Sequence, residues 1–179
     1  MNQPKLIFSI CTWIVLYGTG NLAMAENTTT QDESKNSYGQ IHFNNDKGEE
    51  KCVVPIPEIS QKFYFVADNE PCENNMVSTF WLENVPSATL IDFYENEGCT
   101  DTHEKEDFYF KLRTVKQPTD WGGGSVTYSI DALRNARVGQ LLPKRNVRLE
   151  ATFVGADYND KNLNERLSCV YIERSQPVK

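Results

Sequence analysis

The chain has few of the residues on which enzymes and transition-metal centres usually depend. Its 179 residues include only two histidines, and its five cysteines form no Cys-x-x-Cys pair. It also has no Gly-x-Ser-x-Gly, His-Glu-x-x-His or glycine-rich phosphate-binding motif. Zinc binding, thiol-redox catalysis and nucleophilic catalysis depend on histidine, cysteine or nucleophile motifs of this kind. The sequence therefore favours a protein that is not an enzyme.

The histidines and the densest acidic run each allow a functional and a structural interpretation. His42 lies in a strand-like alternation outside any recognisable metal motif. His103 could bind a metal with Asp101 and Glu104, although a solvated turn explains the same residues. The run 104–107 could supply acid–base groups, but its mixed charges are typical of an exposed loop.

A long hydrophobic run occurs only near the N-terminus. Lys5 precedes an apolar stretch at residues 6–17, and Ala23-Met24-Ala25 is a small-x-small cleavage site. Residues 1–25 therefore predict a secretory signal peptide, and early glycines argue against a membrane anchor. No later run approaches membrane length. We expect a secreted or periplasmic protein with no membrane span after signal cleavage.

The negative charge of the chain limits the classes of ligand that it can bind. The chain has a formal net charge of −7 and a mean hydropathy of −0.54, which makes nucleic acid and anionic membranes poor candidate ligands. Residues 26–37 are polar without an apolar period and predict a disordered leader. We expect a single β-sandwich domain at 38–174, followed by a short tail at 175–179.

Four cysteines remain after signal removal, namely Cys52, Cys72, Cys99 and Cys169. An even number in an exported domain predicts two disulfides, with three possible connectivities. The pairing that we expect joins Cys72 to Cys99, which staples one segment to itself. Cys52 would then pair with Cys169 and tie the two ends of the domain together.

Short runs rich in aromatic and β-branched residues follow one another from Tyr38 onwards. Turn-forming clusters separate them, and no helical period is sustained, which predicts an all-β sandwich or barrel. One short helix is expected at 130–136. The predicted strands are 40–43, 51–56, 62–66, 77–82, 89–94, 108–115, 125–130, 147–154 and 168–173.

Residues 38–83 and 88–174 read as two unequal versions of one plan. Each half ends with an Asn-x-x-x-Ser step before a final strand, at Asn74-Asn75-Met76-Val77-Ser78-Thr79 and at Asn164-Glu165-Arg166-Leu167-Ser168-Cys169. The second half also has an aromatic corner that begins at Tyr94. The enlargement of the second half falls chiefly around residues 121–124 and Arg145.

At these residues the chain resembles the βγ-crystallin superfamily in its secreted microbial branch. That family combines an aromatic Tyr-x-x-x-x-Phe-x-Gly corner with a later Asn/Asp-Asn/Asp-x-x-Ser/Thr-Ser turn. Here Cys99 and Asp101 replace the Phe and Gly of the corner, while Glu165 and Cys169 depart from the second turn. The resemblance implies two Greek-key motifs forming a crystallin-like sandwich.

The resemblance also implies a calcium site at each turn, built from main-chain carbonyls and a Ser side chain. Hard oxygens of this kind suit calcium without adding much charge. The alternative is that each turn only reverses the chain, with the serine satisfying a backbone group. Carried over by residue, the better site is Asn75, Met76 (carbonyl) and Ser78, and the weaker is Glu165, Arg166 (carbonyl) and Ser168.

The segment Trp121-Gly122-Gly123-Gly124 lies outside the resemblance. Three glycines allow a loop many conformations, and an aromatic residue at its edge could anchor a protein or sugar partner. The alternative is that Trp121 fills the core while the glycines only turn the chain.

Three functional classes follow from these residues. The first is a disulfide-stabilised protein-binding module, such as a virulence or host-interaction factor or an inhibitor of an exported enzyme, with a host or exported protein as partner. The second is a calcium-binding structural protein of βγ-crystallin type. The third is a secreted hydrolase or toxin that uses surface carboxylates.

Overall fold

Nine short strands form the framework of the described part of the molecule. The computed structural model describes residues 38–65 and 72–174, so the predicted signal peptide (1–25), leader (26–37) and tail (175–179) lie outside the described residues. The strands are β1 (Gln40–Asn44), β2 (Glu50–Pro55), β3 (Gln61–Tyr64), β4 (Thr79–Glu83), β5 (Leu90–Tyr94), β6 (Phe108–Thr114), β7 (Tyr128–Ser129), β8 (Val147–Val154) and β9 (Cys169–Glu173). Two short 3-10 helices occupy Asp131–Asn135 and Ala156–Tyr158.

The strands form two antiparallel sheets whose order does not follow the sequence. The first sheet has the order β2-β1-β4-β7, and the second has the order β3-β9-β5-β6-β8. Strand β3 comes from the first half of the chain but pairs with β9, while β7 comes from the second half but pairs with β4. Each half therefore lends one strand to the sheet of the other half.

Alternation within the strands sets which side chains enter the core. In β6, Phe108, Phe110 and Leu112 belong to the main core. At the alternate positions, Lys111 and Arg113 are half-buried, and Tyr109 packs in a separate smaller cluster with Tyr94. This period of two is what a strand with one face on a core requires. An observed strand overlaps each of the nine predicted runs, so the all-β prediction is confirmed.

Aromatic rings join the two sheets across the core. Phe93 of β5 contacts Phe43 of β1 with ring centroids 5.8 Å apart, and it contacts Phe80 of β4 at 4.9 Å in an edge-to-face arrangement. All three rings are fully buried. Burial of each such side chain contributes about 2–3 kcal/mol, so these rings account for much of the sheet-to-sheet attachment.

The enlarged second half adds one strand without a counterpart in the first half. Strand β8 pairs with β6 over its whole length and forms an edge of the five-stranded sheet. The predicted run 125–130 shortens to the two residues of β7, because a turn closed by Val126 N and Gly123 O precedes it and a 3-10 helix follows it. That helix confirms the short helix predicted at 130–136.

The described residues contain two disulfides, but the predicted pairing is wrong. Cys52 bonds to Cys72, and Cys99 bonds to Cys169, with Cα atoms 5.3 and 5.4 Å apart. Cys52 lies on β2 and Cys169 on β9, and these strands belong to different sheets. Cys169 instead lies opposite Tyr94 at the end of β5, next to the loop that carries Cys99.

Trp121 belongs to the core. The alternative that Trp121 fills the core is therefore correct, and its interpretation as an exposed anchor is wrong. Its side chain is 7% exposed, and its ring centroid lies 5.4 Å from that of Phe80. The indole N–H donates to the carbonyl of Arg145 at 2.8 Å. Gly122 and Gly123 have φ values of 76° and 97°, a region that glycine enters without strain. The glycines thus turn the chain and keep the indole buried.

Replacement of Trp121 by Ala is expected to lower the free energy of unfolding by about 3–5 kcal/mol, because it leaves a cavity beside Phe80. Trp121→Phe should cost less, since only the bond to Arg145 and part of the ring are lost. Urea unfolding of the purified protein measures both. The control is Tyr64→Ala, where the side chain is 45% exposed and a change below about 1 kcal/mol is expected. Equal effects at both positions would contradict the core assignment.

Candidate functional site

An acidic cleft lies where the two Asn-x-x-x-Ser turns meet the loop between β5 and β6. Its volume is about 450 Å³. Five carboxylates and one guanidinium line it, so the cleft carries an excess of negative charge. The lining residues are Asn74, Asn75, Glu95, Asn96, Glu97, Glu104, Glu106, Asp107, Arg166 and Ser168.

The two turns have matching backbone geometry. Asn75 and Glu165 hold the same position in each turn, with φ values of 59° and 58°. The amide of Ser78 donates to the Asn44 carbonyl at 2.8 Å, and the amide of Ser168 donates to the Tyr94 carbonyl at 3.0 Å. Each serine is therefore fixed to the end of the first strand of its own half. Asn favours the left-handed conformation, whereas Glu165 adopts it at some cost.

A short hydrogen-bond chain joins the turns across the cleft. The hydroxyl of Ser168 donates to Asn74 Oδ1 at 2.8 Å, and Asn74 Nδ2 donates to Glu97 Oε1 at 3.0 Å. Ser168 is buried, and Asn74 is half-buried. These contacts place an amide oxygen, a hydroxyl and a carboxylate together at the mouth of the cleft.

Ser78 does not repeat this arrangement. Its side chain is fully buried, and its hydroxyl has no hydrogen-bond partner among the described residues. The counterpart of Asn74 in the second turn is Asn164, whose Oδ1 accepts from Ser129 Oγ at 3.3 Å and from the Asp131 amide at 3.4 Å. The two turns are thus alike in backbone and unlike in side-chain chemistry.

Glu95 and Asp107 form the buried wall of the cleft. Burial raises the pKa of Glu95 above its usual value, and the Asp107 carboxyl adds to the rise, while a bond from the Tyr158 hydroxyl at 3.1 Å opposes it. Asp107 is 5% exposed, and within residues 38–65 and 72–174 its Oδ2 has no hydrogen-bond partner. Two acids held together away from water repel each other when both are charged.

Gly155 supports this wall from behind. Its amide donates to the Asp107 carbonyl at 2.8 Å. A Cβ at this position would collide with the carbonyl oxygens of Glu104 and Lys105. The absence of a side chain therefore lets the acidic loop lie close against the residue that follows β8.

The structure brings together only some of the predicted site residues. Asn75, Arg166 and Ser168 line the cleft, whereas Met76, Ser78 and Glu165 are not among its lining residues. Over residues 38–65 and 72–174, no three His, Cys, Asp or Glu side chains are grouped so that they could hold a metal ion. An ion in the cleft would therefore depend on neutral oxygens as well as carboxylates.

Sequence reasoning missed Glu95, and it placed Asp107 only within the run 104–107, which was expected to be an exposed loop. Residues 104–106 are exposed as expected, but Asp107 is buried. Glu95 and Asp107 lie at opposite ends of the β5–β6 loop. The available signal was an acidic residue directly after β5 and another directly before β6, because antiparallel neighbours bring those two positions together.

His103, the predicted metal alternative, lies in an exposed loop, and the described residues do not group it with Asp101 and Glu104 as metal ligands. His103 Nδ1 lies 3.1 Å from Asp101 Oδ1, and its ring contacts Phe153 with centroids 4.5 Å apart.

His42 is held by two acids on the outer face of the four-stranded sheet. Its Nδ1 lies 2.7 Å from Glu50 Oε2, and its Nε2 lies 2.9 Å from Glu83 Oε2. The ring stacks on Trp81 at a centroid distance of 3.7 Å. Because both ring nitrogens already have partners, this histidine has a structural arrangement rather than a ligand geometry.

Asp92 is a second acidic residue whose pKa is raised by burial. Its side chain lies on the outer face of the five-stranded sheet and is 1% exposed. Burial raises its pKa from 3.8 to about 7; Lys111, 3.3 Å away, acts in the opposite direction, and Glu173 adds to the rise. Lys111 is shared, since it lies 2.8 Å from Glu173. No described residue forms a hydrogen bond with Asp92 Oδ1.

Asp92 should make the protein less stable as the pH rises. Below about pH 4 the carboxyl is protonated in both the folded and the unfolded chain. Between about pH 4 and 7 the unfolded chain loses this proton while the folded chain keeps it, so the free energy of unfolding falls by up to about 1.4 kcal/mol per pH unit. Asp92→Asn should therefore gain stability relative to the native protein as the pH rises from 4 to 8.

Urea unfolding at several pH values measures this difference, with the exposed Asp160→Asn as a control whose offset should not vary in the same way. A constant difference between Asp92→Asn and the native protein across the series would show that Asp92 is charged in the folded state.

The comparisons with known proteins leave the cleft to be interpreted from its own geometry. No family model, no curated protein and no solved structure matches this chain. Within the described residues, no helix has the length and apolar character needed to cross a membrane.

Proposed function

We propose that the chain is a secreted or periplasmic module that binds calcium in the acidic cleft, where the ion ties its two halves together. The observation that carries this proposal is Asp107 Oδ2, a buried carboxylate oxygen in the wall of the cleft that has no partner in the described part of the chain. An orphaned buried acceptor costs about 1–3 kcal/mol, and more when it is charged. A bound cation would remove that cost.

The oxygen donors around the cleft suit calcium better than a transition metal. Calcium takes six to eight hard oxygens in a flexible arrangement, whereas zinc and copper favour sulfur and imidazole ligands. Asn74, Ser168 and Asp107 offer an amide oxygen, a hydroxyl and a carboxylate. Because the acids do not converge on one point, backbone carbonyls of the two turns would complete the set. We expect a Kd on the order of 10⁻⁴–10⁻³ M, as in extracellular modules.

The strand order supports a crystallin-like Greek-key arrangement for this module. The third strand of each half, β3 and β7, crosses to the sheet of the other half. This exchange places the two serine turns side by side, as a shared ion site between two halves requires. The amide of Glu165 donates to the carbonyl of Val77 at 2.8 Å, which is a direct link between the turns.

The position of the acidic wall favours the second predicted calcium site over the first. The set Asn75, Met76 and Ser78 was the better match by sequence, but Ser78 lies away from the acidic wall. Ser168 lies at the wall and belongs to the set with the poorer sequence match. The guanidinium of Arg166 also lines the cleft, so it limits the affinity without outweighing five carboxylates.

Calorimetric titration of the metal-free protein with calcium should give a measurable binding heat. At a calcium concentration about 100 times the Kd, the free energy of unfolding should rise by about 2.7 kcal/mol. Asp107→Asn should weaken binding by at least about tenfold, because it replaces the buried charge by a neutral group. The same variant should be no less stable than the native protein without calcium, since it removes repulsion with Glu95.

Glu58→Gln serves as the matched control, because Glu58 is exposed and lies outside the cleft. It should leave the calcium affinity unchanged. A native protein without calcium heat, or an Asp107→Asn variant that binds as tightly as the native protein, would remove the proposed function.

The two serines distinguish the two calcium sites. Ser168→Ala should weaken calcium binding and lower the free energy of unfolding by about 1 kcal/mol, because it removes the bond to Asn74. Ser78→Ala should leave both quantities nearly unchanged, since its hydroxyl has no partner to lose. Titration and urea unfolding of both variants provide the measurements. Loss of calcium heat only in Ser78→Ala would instead assign the ion to Asn75, Met76 and Ser78.

A further inference from the structure

One stretch of this acidic chain carries only positive charge. Residues 132–149 contain four arginines and one lysine but no Asp or Glu, whereas the whole chain has a net charge of −7. The stretch includes part of the 3-10 helix Asp131–Asn135 and the first residues of β8. It lies outside the acidic cleft, because it shares no lining residue with it.

Hydrogen bonds to β8 hold this stretch in a fixed path along the edge of the five-stranded sheet. The amide of Gly139 donates to the Leu149 carbonyl at 2.7 Å, and the amide of Leu149 donates to the Gln140 carbonyl at 3.1 Å. The amide of Leu142 donates to the Val147 carbonyl at 2.7 Å. Leu142 is buried, so it anchors the stretch in the core.

Two large aliphatic side chains on this stretch face solvent. Val138 is 55% exposed and Leu141 is 56% exposed. The backbone next to both residues is hydrogen-bonded to β8, so their exposure follows from the fold. Single exposed hydrophobic residues are common on soluble proteins, whereas two on one anchored segment beside free cations favour an interaction surface.

The positive charges next to these side chains are only partly used within the protein. Arg134 donates to the carbonyls of Tyr158 and Lys161, and the Arg145 guanidinium lies 5.2 Å from the Trp121 ring centroid. By contrast, the side chains of Arg137 and Lys144 are exposed and have no hydrogen bond or ion pair with any described residue. Two cations are therefore free to meet a partner.

Arg137 and Leu141 line one cavity of about 240 Å³. Tyr128, Ala132, Ala136 and Pro143 form the rest of its apolar lining, and Asn135 and Gln140 add polar groups. The cavity places a free guanidinium beside a concave surface that is partly apolar and partly polar. An apolar side chain can enter such a cavity while a neighbouring carboxylate pairs with the guanidinium.

We propose that this basic-apolar patch (Arg137, Val138, Leu141 and Lys144) docks an acidic segment of a partner protein that inserts one apolar side chain into the cavity. Charge complementarity selects an acidic partner, because the free groups of the patch are cationic. The concave shape favours a protein over a lipid surface, since a flat headgroup layer does not fill a cavity. This docking is independent of calcium binding in the acidic cleft.

The test uses a phage-displayed library of random peptides, selected on the purified exported protein. Enriched peptides should carry Asp or Glu next to a large apolar residue, and their affinity should fall as the salt concentration rises. The on-patch variant Arg137→Ser/Leu141→Ser should weaken their binding by at least about tenfold. The off-patch variant Lys47→Ser/Ile59→Ser changes an exposed lysine and an exposed isoleucine elsewhere and should bind them as the native protein does.

Three outcomes would overturn the proposal. The first is a selection that enriches no peptide family, and the second is a family whose binding is the same for the on-patch variant and the native protein. The third is sedimentation of the native protein, but not the on-patch variant, with vesicles that contain phosphatidylglycerol, which would assign the patch to anionic lipid. All the substituted side chains are exposed, and circular dichroism of each variant checks that the fold is retained.

Discussion

The exchange of strands β3 and β7 is the constraint on which the rest of the structure depends. Since each half lends a strand to the sheet of the other, neither half can complete its hydrophobic face alone. Phe93 illustrates this dependence, because its ring contacts Phe43 and Phe80 of the opposite sheet. The same exchange brings the turn before β4 next to the turn before β9, and it thereby creates the cleft between them. Core packing and the proposed ion site are thus two results of one topology.

The strands were predictable because their signal is local. An alternating series of apolar residues, such as Phe108, Phe110 and Leu112, indicates which face of a strand is buried. A sheet with one face on the core needs this alternation along its strands. The disulfide pairing was not predictable, because it depends on which sheet each strand joins, and no local pattern specifies this. Trp121 shows the same limit. Its neighbouring glycines indicate a loop, but the burial of its indole follows from Phe80 and Arg145, which are distant in sequence.

The candidate site was predictable in part for a similar reason. The two serine turns are contiguous motifs, so their positions and their shared backbone geometry could be read from the sequence. The acidic wall could not, because Glu95 and Asp107 meet only through the pairing of β5 with β6. The ranking of the two turns in the proposed function differs from their ranking by motif. Motif similarity favours the turn with Ser78, whereas the supply of charge favours the turn with Ser168, and charge depends on residues that the motif does not contain.

The two disulfides place the cleft under the control of oxidation. Cys72 lies two residues before Asn74, and Cys169 directly follows Ser168. Cys99 lies in the loop that supplies the carboxylates, so one bridge ties that loop to the second turn. In a reducing compartment neither covalent attachment exists, and strand pairing and hydrogen bonds alone join the three segments that line the cleft. If the cleft holds an ion as proposed, its donors are covalently fixed in place only after the chain has matured in an oxidising environment.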